Sequence, residues 1–161
     1  MEAVGRERPI RVDSIRVDSG DLDFARLDAF LAKTRIFPSF SHEDREAVRP
    51  FLLAMERSGF QVFHAEELRA GVSWQNVFQR ELEAAARDGW VVIFLSRRSI
   101  LSPWVTHEID AGKELGAKIV PVLLERMRQP ANLVEFQFFD ASVDPATAPD
   151  KLVELLLRRP V

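Results

Sequence analysis

Apolar and polar positions follow two rhythms along the chain, and the switches between them mark its elements. From Asp21 to Lys33 the apolar residues Leu22, Phe24, Leu27, Phe30 and Leu31 recur at helical spacing. This predicts an amphipathic helix whose apolar face needs a partner, either the following domain or another chain. Thr34 to Phe40 (TRIFPSF) reads as a first core strand, with Pro38 at its end or at a bulge because proline cannot donate to a ladder. A helix over about residues 43–57 follows, with Val48, Phe51, Leu52 and Met55 inward, Pro50 as an expected kink and Gly59 as its stop. Phe60 to Phe63 makes a short second strand. After the polar loop Ala65 to Val72, Ser73 is the expected cap of a helix that turns Trp74, Val77, Phe78, Leu82 and Ala85 inward and closes at Asp88-Gly89.

Trp90 to Leu95 (WVVIFL) is apolar at every position, the signature of a strand covered on both faces. Ser102 as N-cap and Pro103 as first helical residue open the next helix, which ends near Gly116. Lys118 to Leu124 (KIVPVLL) is a second continuous apolar strand, and Pro121 puts it near the sheet edge or at a bulge. Phe136 to Phe139 can form a last strand and Asp150 to Arg158 a last helix. This alternation predicts an α/β, flavodoxin-like three-layer fold with a five-stranded parallel sheet and right-handed crossovers. The expected division is an N-terminal arm and amphipathic helix over 1–33, then one domain over 34–161. Within the arm, Ile10 to Ser14 is repeated directly as Ile15 to Ser19, a pattern open to a short edge strand or a flexible arm.

Composition narrows the function classes. At 161 residues and 47% hydrophobic, the chain suits one well-buried domain. No apolar run approaches the ~20 residues of a membrane helix, and the N-terminus has no signal-peptide core. With no cysteine there is no disulfide framework or thiolate site, which fits a cytoplasmic protein. Net charge is -3 with both signs interspersed, so no basic stripe for nucleic acid is present. GxGxxG, GxxxxGK[ST] and GxSxG are all absent, which removes dinucleotide-fold, P-loop and hydrolase-elbow readings. His42, His64 and His107 are dispersed, so no metal site is expected.

Ligands of doubly wound sheets bind beyond the carboxyl ends of the strands. That rim should collect Ser39-Phe40-Ser41, the Glu66 to Gly71 loop, Ser96 to Ser102, and Leu124 to Arg126. Trp104 and Glu108, four apart on the Ser102 helix, place an indole and a carboxylate on one helix face at the same rim. Taken alone, Trp104 reads as a core anchor and Glu108 as a solvated partner of an arginine, while Ser39, Ser41 and Ser96 are open to either a turn or a site role.

Four motifs in order alter that balance. Ile36 to Asp44 (IFPSFSHED) resembles the first box of Toll/interleukin-1 receptor (TIR) domains, particularly bacterial ones. Glu66 to Gly71 followed by Trp74 resembles their BB loop. Leu95-Ser96 with Ser102-Pro103-Trp104 and Glu108 resembles the third-strand segment and the WxxxE motif, and Lys118 to Val122 is similar to their fourth strand. The resemblance spans about residues 34–158. It implies cleavage of NAD+ at the nicotinamide glycosidic bond, with Glu108 catalytic and Ser39, Phe40, Ser41, Arg69, Gly71, Ser96 and Trp104 contacting substrate. NAD+ would then be a substrate, and no other cofactor is implied. The family further implies self-association through contacts that include the Glu66 to Gly71 loop, a separate sensor protein as a possible partner, and a role in defence or signalling. A non-enzymatic TIR scaffold is the competing reading.

Overall fold

The computed structural model describes residues 10–12, 15–17, 24–65, 71 and 73–158. The direct repeat pairs with itself: β1 (Ile10–Val12) and β2 (Ile15–Val17) lie antiparallel, Ile10 opposite Val17. Helix α1 (Phe24–Lys33) leads into β3 (Arg35–Ser39), α2 (Arg45–Arg57) and β4 (Gln61–Val62). Helix α3 (Trp74–Asp88), β5 (Gly89–Leu95), α4 (Pro103–Glu114) and β6 (Ile119–Leu123) follow. Strand β7 (Phe139–Asp140) and α5 (Ala148–Arg158) complete the order. The main sheet has five parallel strands in the order β4-β3-β5-β6-β7. This is the doubly wound arrangement expected from the alternating pattern.

The central strand shows why WVVIFL has no polar position. Trp90, Val92 and Phe94 point into one core layer with Val48, Phe51 and Met55 of α2 and Leu152 and Leu156 of α5. Val91, Ile93 and Leu95 point into the other with Phe78 and Leu82 of α3 and Val105 and Ile109 of α4. Side chains alternate across a strand, so a strand sandwiched between helices must be apolar at every step. Leu31 of α1 joins the first layer, which gives that helix's C-terminal end its apolar partner within the chain. Gly89 permits the approach of β3 to β5: a Cβ there would lie 1.7 Å from the Arg35 carbonyl oxygen.

Both strand prolines avoid the ladder. Gln61 and Phe63 N–H groups bond the carbonyls of Thr34 and Ile36, so this parity of β3 faces β4. Pro38 shares it but lies past the β4 residues that pair with β3, and no ladder bond is lost. Pro121 likewise has the parity of Leu123, which bonds Ala141, and precedes the stretch of β6 paired with β7. Helix α2 runs through Pro50 and closes at Gly59, with φ 102° and a Phe60 N–H to Met55 C=O bond of 3.2 Å. Gly116 closes α4 in the same way, at φ 68°. Some details differ from the sequence reading. The hydroxyls of Ser73 and Ser102 occupy N-cap positions without making capping bonds. The last strand starts at Phe139 rather than Phe136, because Phe136 is held in the preceding turn by its N–H bond to Leu133 C=O.

Candidate active site

The acid at the centre of the site occupies a position that helical periodicity normally gives to an apolar side chain. On α4 the buried residues are Val105, Glu108, Ile109 and Gly112, the stripe that faces the sheet. Glu108 is 2% exposed, and burial pushes its carboxyl from 4.5 up to about 8 by penalising the charged form. Ser39 and Trp104, beside it, oppose that rise. Their opposition is incomplete: neither Ser39 Oγ nor Glu108 Oε2 has a partner in hydrogen-bonding geometry. An unpartnered buried carboxylate oxygen costs stability. Glu108 borders a cavity of about 650 Å³, within the ~300–1,000 Å³ usual for small-molecule sites.

Five segments build the cavity wall. Phe40 and His42 come from the turn after β3, Arg45, Arg49 and Leu52 from α2, and Phe63 and His64 from the exit of β4. Phe78 of α3 and Trp104 of α4 complete it. The aromatic side is a connected stack: the Trp104 ring lies 4.9 Å from Phe78 and 4.8 Å from Trp74. Phe78 in turn meets Phe37 edge-on at 4.8 Å. Trp104 is thus braced by the core along one edge yet 38% exposed, so it serves as anchor and wall at once. On the polar side Arg45 Nη2 donates to His42 Nδ1 at 3.0 Å, while His64 Nε2 meets the Glu56 carboxylate. Among the described residues no three His, Asp or Glu side chains converge as a metal site would require.

Three of the residues singled out from sequence, Phe40, Trp104 and Glu108, line the cavity, and Ser39 is buried beside Glu108. Ser41 does not line it; its carbonyl accepts the Asp44 N–H at 2.8 Å. Ser96 is also outside the lining. Its hydroxyl donates to Asp44 Oδ2 at 2.6 Å and accepts the Ser99 N–H at 3.1 Å, so it secures the turn after β5. Gly71 is exposed, with φ 86°, and is not part of the lining. Arg69 and the rest of Glu66 to Ala70 lie outside the described residues. Sequence reading missed Arg45, Arg49 and Phe63. The two arginines carried a usable signal, an i, i+4 pair on α2 on either side of the inward Val48.

The TIR domain family matches residues 36–157, and the chain therefore belongs to it. Among solved structures it is similar to the TIR domain of the Toll-related receptor TRR-2 from Hydra magnipapillata, with TM-score 0.58 and 19% identity over 74% of this chain and 93% of that one. It is also similar to the CMP N-glycosidase BcmB of Clostridium botulinum, with TM-score 0.51 and 16% identity over 74% of this chain and 99% of that one. No curated protein matches. At these identities the structural likeness is one of fold. No helix among the described residues is long and apolar enough to cross a membrane.

Proposed function

We propose that this TIR domain cleaves the nicotinamide glycosidic bond of NAD+, releasing nicotinamide and either ADP-ribose or a cyclic ADP-ribose, when the chain self-assembles. The observation that carries the reading is Glu108: a buried acid with an unpartnered oxygen at the edge of an aromatic-walled cavity. Nicotinamide in NAD+ is already a cationic leaving group, so it departs without protonation and leaves an oxocarbenium-like ribose. One carboxylate can stabilise that charge, as the carboxylates of glycosidases do. The positive charge of the bound substrate favours ionised Glu108, offsetting the desolvation that otherwise keeps its proton. Trp104 offers a flat face to a ring, and Ser39 lies buried beside Glu108 and favours its ionised form. The fold also houses an N-glycosidase in BcmB, which agrees with chemistry at a glycosidic carbon. A cytoplasmic location and a role in bacterial defence or signalling, triggered by a separate sensor protein, complete this reading and rest on the family resemblance.

The scaffold reading draws on a different observation. Leu101 is 80% exposed, Ile100 and Trp74 are each 43% exposed, and all three stand near the start of α3 or α4. Apolar exposure of this kind suits self-association. Nicotinamide release from NAD+, measured on concentrated or surface-clustered protein, separates the two readings. Wild type should release nicotinamide and folded Glu108→Ala should lose about 100-fold or more. Undiminished release by Glu108→Ala would sink the catalytic assignment. Clustering without any release would leave the scaffold.

A further inference from the structure

Among the described residues, the buried polar side chains are Thr34, Ser39, Asp44, Ser96, Ser99 and Glu108, and most are satisfied within the chain. Thr34 donates to the Phe30 carbonyl at 2.9 Å, Ser99 to the Ser96 carbonyl at 3.0 Å, and Ser96 to Asp44 at 2.6 Å. Ser39 and Glu108 are the exceptions. They are 1% and 2% exposed, yet Ser39 Oγ and Glu108 Oε2 have no partner. A buried polar atom left alone costs stability, and here two such atoms belong to side chains that stand beside each other.

Strand alternation brings them together. Ser39 has the parity of Phe37, whose ring packs in the layer with Phe78 of α3 and Val105 and Ile109 of α4. Glu108 lies on the inward stripe of α4 that closes on this layer. The end of β3 is held in register against β5, with Ser39 opposite Ile93, so the hydroxyl is carried on a fixed element rather than a loop. Glu108 lines the cavity and Ser39 does not, so Ser39 acts on a ligand only through Glu108. A serine hydroxyl turns about one torsion, and its bond to an ionised carboxylate is roughly twice as strong as one to a neutral acceptor. The charged and titratable groups that share the cavity with Glu108 are His42, Arg45, Glu46, Arg49, Glu56 and His64. On α4 itself His107 and Asp110 are exposed, while β5 and α3 meet this layer with apolar side chains. Desolvation raises the Glu108 carboxyl, Ser39 and then Trp104 lower it, and no charged group contributes.

We propose that Ser39 is a positioning residue: its hydroxyl, fixed at the end of β3, donates to the Glu108 carboxylate when that acid is ionised and holds it at the edge of the cavity. The proposal deepens the N-glycosidase reading and rests on it for the catalytic meaning of Glu108. Carbon-13 titration of the Glu108 carboxyl in the full chain, assigned by comparison with Glu108→Gln, tests the bond without requiring turnover. Ser39→Ala should move the Glu108 midpoint upward by about one pH unit or more, and Ser39→Thr, which keeps the hydroxyl, should stay near wild type. Chemical denaturation separates this role from a merely structural one. Ser39→Ala removes an unpartnered hydroxyl and should match wild type at pH 6, where folded Glu108 is protonated, and fall below it only above about pH 8, where the ionised carboxylate lacks its donor. In turnover on clustered protein, kcat/KM for NAD+ should fall about 10-fold at pH 7 in Ser39→Ala, and the gap should narrow as pH rises past the shifted midpoint. Equal Glu108 midpoints in wild type and folded Ser39→Ala overturn the proposal, as does a loss of stability or of nicotinamide release that is the same at every pH. A midpoint that depends on Ser39, in a protein that releases no nicotinamide, would support the bond and discard NAD+ cleavage.

Discussion

Two buried acids stand near the strand-end rim, and their surroundings assign them opposite tasks. Asp44 is 7% exposed and satisfied: one oxygen accepts the Ser96 hydroxyl at 2.6 Å, and the other lies 3.7 Å from Arg98 Nε. Glu108 is 2% exposed, has one oxygen without a partner, and faces a cavity rather than a cation. An acid whose bonding capacity is filled by its own chain is held in place and holds others. An acid left short inside a cavity has capacity for a ligand. The difference is thus one of hydrogen-bond accounting rather than of depth.

The sharpest way to break this contrast is to exchange charge without changing shape. Glu108→Gln keeps the side-chain volume, and nicotinamide release should fall on the order of 100- to 1,000-fold; Asp44→Asn should retain most of it. Equal losses in the two variants would remove the distinction. For wild type, kcat/KM should rise with pH toward about 8 as the free protein's Glu108 ionises, and a pH profile flat from 6 to 9 would contradict the assigned ionisation.

Stability against pH gives the next largest effect. Folded Glu108 retains its proton up to about 8, while the unfolded chain releases it near 4.5. The folded state therefore binds more protons within that window, and stability falls as pH rises through it, levelling off above the upper value. Denaturant titrations should show wild type losing about 2–4 kcal/mol between pH 4.5 and 8.5 relative to Glu108→Gln, which has no such proton to release. Parallel curves for the two proteins would mean that Glu108 is not desolvated as described.

Asp44→Ala should cost about 1–3 kcal/mol at neutral pH, because the Ser96 hydroxyl loses its acceptor inside the protein. Arg98→Ala should cost less than about 1 kcal/mol, since its guanidinium is more than half exposed and its pairs with Asp44 and Glu43 are screened by water. A reversed order in chemical denaturation would make Arg98, rather than Ser96, the group that anchors Asp44.

Elements were easier to read from the chain than the cavity. The all-apolar run at Trp90 to Leu95 demanded helices on both sides, and both core layers do close on that strand. The glycines at 59 and 116 marked helix ends because positive φ is cheap only without a Cβ. Trp74 shows where periodicity misleads. It has the spacing of a core residue, yet it is 43% exposed at the first position of α3, where it meets Trp104 rather than the sheet. Ser96 shows the same limit for polar groups. Its place after a strand fits a ligand contact, but its hydroxyl is engaged by Asp44, 52 residues away in sequence.

By itself the sequence determined the order of elements, the parallel sheet, the family and the two residues Trp104 and Glu108, because periodicity, turn chemistry and short motifs are local properties of a chain. Tertiary structure alone decided which of two rim acids is satisfied, that Trp104 both braces the core and lines the cavity, and that Arg45 and Arg49 share that cavity with Glu108. Those facts depend on distances between segments far apart in sequence. Burial and the count of available hydrogen-bond partners are set only when the layers close.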